Sequence, residues 1–279
     1  MKQTIARVIC ILGAAGLAAA ICLTFLTGCS TTSQPGTPEP EPATPAAGAH
    51  AAAVCIGLTA VDPAAYDGWA GDCPGCDVDA VGLRDACTDA GIFTRLILNA
   101  EATWPAVHQA VLDMAAGLTR GDLLIVAMSG HGGQITDNNG DETDGLDETI
   151  CLWDGQVRDD RVLELLRQIP AGLRVVLIND QCHSQGNFRS ANARPLVKAA
   201  KTDWDGQLIQ FAGCREDSYS YGAASGGTWT QSLLSTLKPA LTWRQWFDAA
   251  SGKMPANQIP QWVEFGAVTD QFRNAPIFQ

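Results

Sequence analysis

The chain has 279 residues, 46% of them apolar, which is enough for one large domain or two small ones with a buried core. Eighteen Lys and Arg stand against thirty Asp and Glu, a formal net charge of −12. That balance argues against a nucleic-acid partner, which requires a basic face, and is compatible with basic peptide substrates.

Lys2 and Arg7 precede an apolar stretch from Val8 to Leu26, the charged start and hydrophobic middle of a secretory signal. Leu26-Thr27-Gly28-Cys29 resembles the bacterial lipoprotein processing box, in which the cysteine becomes the lipid-bearing first residue of the mature chain. An ordinary transmembrane anchor is the alternative, since the run approaches the ~20 residues that span a bilayer. Small residues before Cys29 and a Ser/Thr/Pro-rich sequence after it fit cleavage better. The resemblance implies a signal peptide over 1–28 and a lipid anchor at Cys29 in the bacterial cell envelope. Ser30 in place of Asp implies the outer membrane, facing the periplasm or the exterior. Residues 29–50 are rich in Pro, Ala and Thr without apolar periodicity, and read as a disordered tether. Residues 51–279 are left for the globular domain.

Ala51 to Leu58 is a continuous apolar run, expected to be a strand buried on both faces. The spacing of Val81, Leu83 and Ala86 predicts a helix over Val78–Ala90, ending at Gly91. Strand, helix and strand follow over Phe93–Leu98, Trp104–Leu118 and Asp122–Met128. A helix over Asp159–Ile169 is stopped by Pro170, and Arg174–Asn179 and Gln207–Cys214 read as strands. Two helices close the chain, Thr228–Leu237 with a hydroxyl cap and Thr242–Lys253. Strands alternating with helices predict an α/β fold with a mostly parallel sheet covered on both faces.

Two predicted strands end in reactive residues. One runs into Ser129-Gly130-His131-Gly132-Gly133, the other into Asp180-Gln181-Cys182-His183-Ser184. In an open α/β sheet the carboxyl ends of parallel strands meet at the edge where ligands bind. A thiol and an imidazole delivered there make a nucleophile and its proton-transfer partner. Either residue alone reads as a buried structural thiol or a loop histidine. His183, the next residue, faces the opposite way in an extended chain and is read as supporting. The two motifs, in this order, resemble the paired His and Cys motifs of the caspase-like cysteine peptidases, most closely the metacaspases. The similarity runs from about Ala51 to the C-terminus. It implies a three-layer α/β/α sandwich and a cysteine endopeptidase that needs no cofactor for its chemistry. Cys182 would attack the scissile carbonyl, His131 would protonate the leaving amine, and the backbone of Gly132 and Cys182 would hold the oxyanion.

Asp180 lies two residues before Cys182, on the same side of the chain, within reach of a substrate side chain. Gly75-Cys76-Asp77-Val78-Asp79-Ala80 resembles the metacaspase segment whose acid lines the S1 pocket, a role that falls on Asp79; the alternative is an acid favourable to its helix dipole. The family also places Ser129 at the pocket edge. Two carboxylates in one pocket imply Arg or Lys at P1. The acidic run from Asp137 to Glu148 lacks the glycine and terminal glutamate spacing of an EF-hand and reads as a polar connection between strands. Asp147, Asp159 and Asp160 match acids that bind activating calcium in many metacaspases. The fourth acid of that set is replaced near Arg189, and Gln185 is inserted in the family's Cys-His-Ser-Gly pattern. The polar stretch from Gln185 to Asp205 carries Arg189, Arg194, Lys198 and Lys201, candidate sites of self-cleavage.

Ten cysteines are present. Cys10, Cys22 and Cys29 belong to the leader, and Cys55 and Cys214 sit in apolar runs as small buried residues. Cys73-Pro74-Gly75-Cys76 reads as a structural disulfide or free thiols rather than a redox pair. Two other functions stay open at this point: a caspase-fold binding lipoprotein without turnover, and a thiol-disulfide protein acting through Cys73 and Cys76.

Overall fold

The computed structural model describes residues 44–45, 48–138, 140, 145–182, 184, 204–215 and 218–279, all within one unit, Pro42–Gln279. Its first half alternates strand and helix: β1 (Ala51–Gly57), α1 (Cys76–Asp89), β2 (Phe93–Leu98), α2 (Trp104–Ala116) and β3 (Leu123–Ser129). Three short strands follow, β4 (Gly132–Thr136), β5 (Leu146–Leu152) and β6 (Gly155–Arg158), then α3 (Asp159–Leu166) and β7 (Arg174–Asp180). The second half holds β8 (Gln207–Ala212), the two-residue strands β9 (Gly222–Ala223) and β10 (Gly226–Gly227), α4 (Thr228–Thr236), α5 (Trp243–Ser251), β11 (Gln261–Gly266) and α6 (Asp270–Arg273).

The main sheet has the order β11-β8-β7-β3-β1-β2. All its neighbours run parallel except β11, which is antiparallel to β8 at the edge. Because side chains alternate along a strand, each central strand feeds two cores. Ala52, Val54 and Ile56 of β1 join Leu124, Val175 and Leu177 beneath α2 and α3. Ala53 and Cys55 join Ile125, Val176, Ile178 and Phe211 beneath α1, α4 and α5. These are the two outer layers of an α/β/α sandwich. Burying each large apolar side chain contributes roughly 1.5–3 kcal/mol.

The second core is aromatic. The ring of Phe211 meets Trp246 at 5.7 Å and Phe247 at 5.3 Å between centroids, both edge to face. Two of its indole N–H groups are partnered: Trp229 donates to the Phe211 carbonyl and Trp246 to that of Leu233. Helix α5 opens with a capping box, Thr242 accepting from the Gln245 N–H while the Gln245 side chain accepts from that of Thr242. At α4 the hydroxyl cap expected from sequence is absent: the N-cap is Gly227, and no side chain caps it.

The antiparallel sheet β4-β5-β6 was not foreseen. Leu146, Asp147 and Glu148, expected in a polar connection, open β5 instead. That strand is buried because Ile150 and Leu152, with Val157 of β6, complete the first core.

Candidate active site

The register places Gly57, Ser129 and Asp180 in one row across β1, β3 and β7, at the carboxyl edge of the sheet. Helix α1 starts directly over this row. A Cβ on Gly57 would stand 2.6 Å from the Cys76 carbonyl oxygen, so the close approach requires glycine there. Gly75, the N-cap of α1, has φ 94° and packs its backbone on that of Ala223 and Gly226. The chain just beyond the row supplies His131 and Cys182, and both face one cleft of about 590 Å³ with Asp72, Ser129, Asp180, Ser220 and Tyr221.

Cys182 is half-buried, and its Sγ points at the Ser220 carbonyl, 3.9 Å away. Burial pushes its thiol above the usual range, so the resting sulfur is protonated. The His131 imidazole Nε2 lies 3.2 Å from the Asp72 carbonyl, and Trp69 packs edge to face on the ring at 4.8 Å. The backbone behind the ring is fixed twice: the His131 carbonyl accepts from the Cys151 N–H at 3.0 Å and from Gln181 Nε2 at 3.0 Å. The first of these bonds makes His131 and Cys151 a hydrogen-bonded pair. Gly132, opposite Ile150, therefore directs its N–H away from β5 on an edge strand. Any Cβ on Gly132 would overlap the Cys182 carbonyl.

Asp79 and Asp180, both buried, converge on Gly227. Asp79 Oδ2 accepts from Ser129 Oγ at 2.8 Å and from the Gly227 N–H at 2.7 Å, and Oδ1 accepts from Gln231 Nε2 at 3.0 Å. Its bonds run across the site rather than to its own helix terminus. Asp180 Oδ2 accepts from the Thr230 N–H at 2.8 Å and its hydroxyl at 3.0 Å, and Oδ1 accepts from Ser220 Oγ. Burial raises both acids, with Asp180 adding to the effect on Asp79, whose pKa reaches about 6. Among the described residues no cation pairs with either.

The structure thus brings together Cys182, His131, Gly132, Ser129, Asp79 and Asp180. It adds Ser220, Gly227, Thr230, Gln231 and Gln258, which sequence reasoning missed; the only signal was the Gly226-Gly227 pair ahead of a helix. Cys73 and Cys76 form a disulfide at the cleft rim, while Cys55, Cys87, Cys151 and Cys214 are buried cysteines outside that bridge. The acids matched to calcium ligands lie elsewhere. Asp147 is buried on β5 and takes Arg158 Nε at 2.6 Å, and Asp159 and Asp160 open α3. No group of three metal-ligating side chains occurs among the described residues. Cys29, His183, Arg189, Arg194, Lys198 and Lys201 lie outside the described residues.

A family model for the caspase domain matches residues 55–271. The chain belongs to the caspase-domain peptidase family. His131, Cys182, Asp79 and Asp180 all fall inside the caspase-domain match. Metacaspase-2 of Arabidopsis thaliana is 30% identical over 154 residues, covering 47% of this chain and 37% of that protein. Metacaspase-1 of Mycosarcoma maydis is 39% identical over 114 residues, 39% of this chain and 26% of that one. The chain thus spans well under half the length of these two relatives. A crystal structure of a protein from Geobacter sulfurreducens has a TM-score of 0.70 at 29% identity, covering 82% of this chain and 98% of that one. Caspase-1 from Spodoptera frugiperda, with a TM-score of 0.55 and 13% identity over 78% of this chain and 88% of its own, shares the fold.

Proposed function

We propose that this protein is a cysteine endopeptidase that cleaves after Arg or Lys, tethered to a bacterial membrane through lipidated Cys29. The observation that supports the specificity is a pair of buried carboxylates: Asp180 lines the cleft shared by Cys182 and His131, and Asp79 lies directly behind it, bonded to Ser129 and Gly227 of the cleft wall. A guanidinium or ammonium from P1 is the cation they lack, and it can bond both in fixed geometry.

In the proposed reaction the Cys182 thiol gives its proton to His131, and the sulfur forms a bond to the scissile carbonyl carbon. The carbonyl electron pair moves to oxygen, where the Gly132 and Cys182 N–H groups receive it. Collapse of this intermediate breaks the C–N bond, and His131 passes the proton to the leaving amine. Water, deprotonated by His131, then attacks the thioester and the Cys182 thiolate leaves. The resting contacts to Ser220 and Asp72 yield as the thiol and imidazole engage substrate. No step uses calcium; its proposed part is that of an activator.

Fluorogenic peptides with Arg, Lys or Asp at P1, given to wild type and Cys182→Ala with calcium or chelator, test the proposal. Arg and Lys peptides should be cleaved and Asp peptides rejected by roughly 10⁴, with activity lost in the variant. Arg cleavage surviving Cys182→Ala would overturn the assignment, and no cleavage at all would favour a binding lipoprotein. Cys29→Ala should move the protein out of the membrane fraction. Intact mass of wild type against Cys182→Ala tests self-cleavage at Arg189, Arg194, Lys198 or Lys201.

A further inference from the structure

Gln258 lies in the connection between α5 and β11, is buried, and sits behind the cleft rather than in its lining. Its Nε2 donates to the Gly213 carbonyl at 3.0 Å and to Ser220 Oγ at 2.8 Å, and its Oε1 accepts from the Tyr221 N–H at 3.1 Å. A carbonyl only accepts and an N–H only donates, so these contacts fix which way the amide faces. The Ser220 hydroxyl therefore receives a hydrogen bond from Gln258 and spends its own proton on Asp180 Oδ1. The carbonyl of the same Ser220 faces the Cys182 thiol. Gly213 in turn donates to the Asn179 carbonyl at 2.8 Å, which ties the assembly to the end of β7. One buried amide thus sets the residue that touches both a pocket acid and the nucleophile.

We propose that Gln258 is a positioning residue of the acidic pocket, holding the Ser220 hydroxyl on Asp180 so that this carboxylate is presented to a P1 cation. The inference rests on the peptidase reading above and assigns that reading a residue outside the cleft. A residue that merely closed the fold would change stability without separating KM from kcat. A positioning residue acts on cation recognition, and acts through Ser220.

The test uses the full chain carrying Gln258→Glu, Ser220→Ala, or both. Glutamate keeps the size of the side chain but replaces the donor with an acceptor, which draws the Ser220 hydroxyl away from Asp180. We expect KM for an Arg peptide to rise about tenfold or more while kcat changes less than about threefold, with the circular dichroism spectrum unchanged. In the double variant KM should match the single variants within about twofold, because both remove one relay. Additive effects, or an unchanged KM in either single variant, overturn the inference. Should Gln258→Glu fail to fold, Ser220→Ala alone decides it. A wild type that cleaves no Arg or Lys peptide sinks the peptidase reading, and the pocket is then read with agmatine, a free guanidinium. Agmatine should raise the melting temperature of wild type and leave that of Gln258→Glu unmoved; no shift in wild type, or equal shifts in both, overturns the inference.

Discussion

Asp79 is a carboxylate surrounded by donors yet held at a pKa of about 6 by burial. The folded chain takes up this proton near pH 6, whereas the unfolded chain takes it up only near the ordinary value of 3.8. The stability contributed by protonating Asp79 is therefore complete below about pH 4 and lost as pH rises through 6. Asp79→Asn removes that loss. Asparagine can still accept from Ser129 and Gly227, and Gln231 can turn its amide to face the new donor. We expect Asp79→Asn to be about 1–3 kcal/mol more stable than wild type at pH 7.5 and level with it at pH 4, while losing Arg cleavage. Melting curves across that range check it. Gly132→Ala is expected to cut kcat by about 10²-fold or more, since its methyl group displaces the Cys182 backbone and with it a proposed oxyanion donor; single-turnover kinetics read this step. His131, Ser129, Asp180 and Cys182 were legible because strand ends are where an apolar run breaks into polar residues. Ser220 and Gln258 come from connections without periodicity, and only the fold brings Gln258 to a residue 38 positions away.

The parallel strands and their helices were readable because each is a run of one period bounded by Gly, Pro or a cap. Two kinds of element escaped. Strand β4 begins Gly-Gly and continues through Gln134 and Thr136, so it shows no apolar face. Strand β5 opens with two acids that read as loop, and they are buried because the neighbouring Ile150 and Leu152 pull the strand onto the core. The consequence is a buried carboxylate, Asp147, whose Oδ2 takes Arg158 and whose Oδ1 has no hydrogen-bond partner among the described residues. Arg158→Ala should destabilise the protein by about 2–3 kcal/mol, because it strands that charge in the interior. Adding Asp147→Asn should recover much of the loss. Equal denaturation midpoints for the single and double variants would show that the ion pair is not what holds β5 to β6.

The molecule as a whole divides its labour by layer. Two cores, one mainly aliphatic and one aromatic, hold the sheet rigid, and everything chemical sits along a single edge of it. Layer order followed from sequence because alternating strands and helices leave few ways to cover a parallel sheet. The site's inner wall did not follow, because β10 and the start of α4 reach it through a two-residue hairpin too short to leave a pattern. That wall gives the two acids their donors but no positive charge. Under the proposed specificity, an arginine side chain entering the pocket competes with the proton that Asp79 takes up near pH 6, and its arrival should expel that proton into solution. Titration calorimetry with agmatine near pH 6, repeated in buffers of different ionisation heat, should show observed enthalpies that vary linearly with that heat and a slope of the sign for proton release. At pH 8, where Asp79 is already ionised, the slope should shrink, so the same pocket grips its cation more weakly in acid than in mild base.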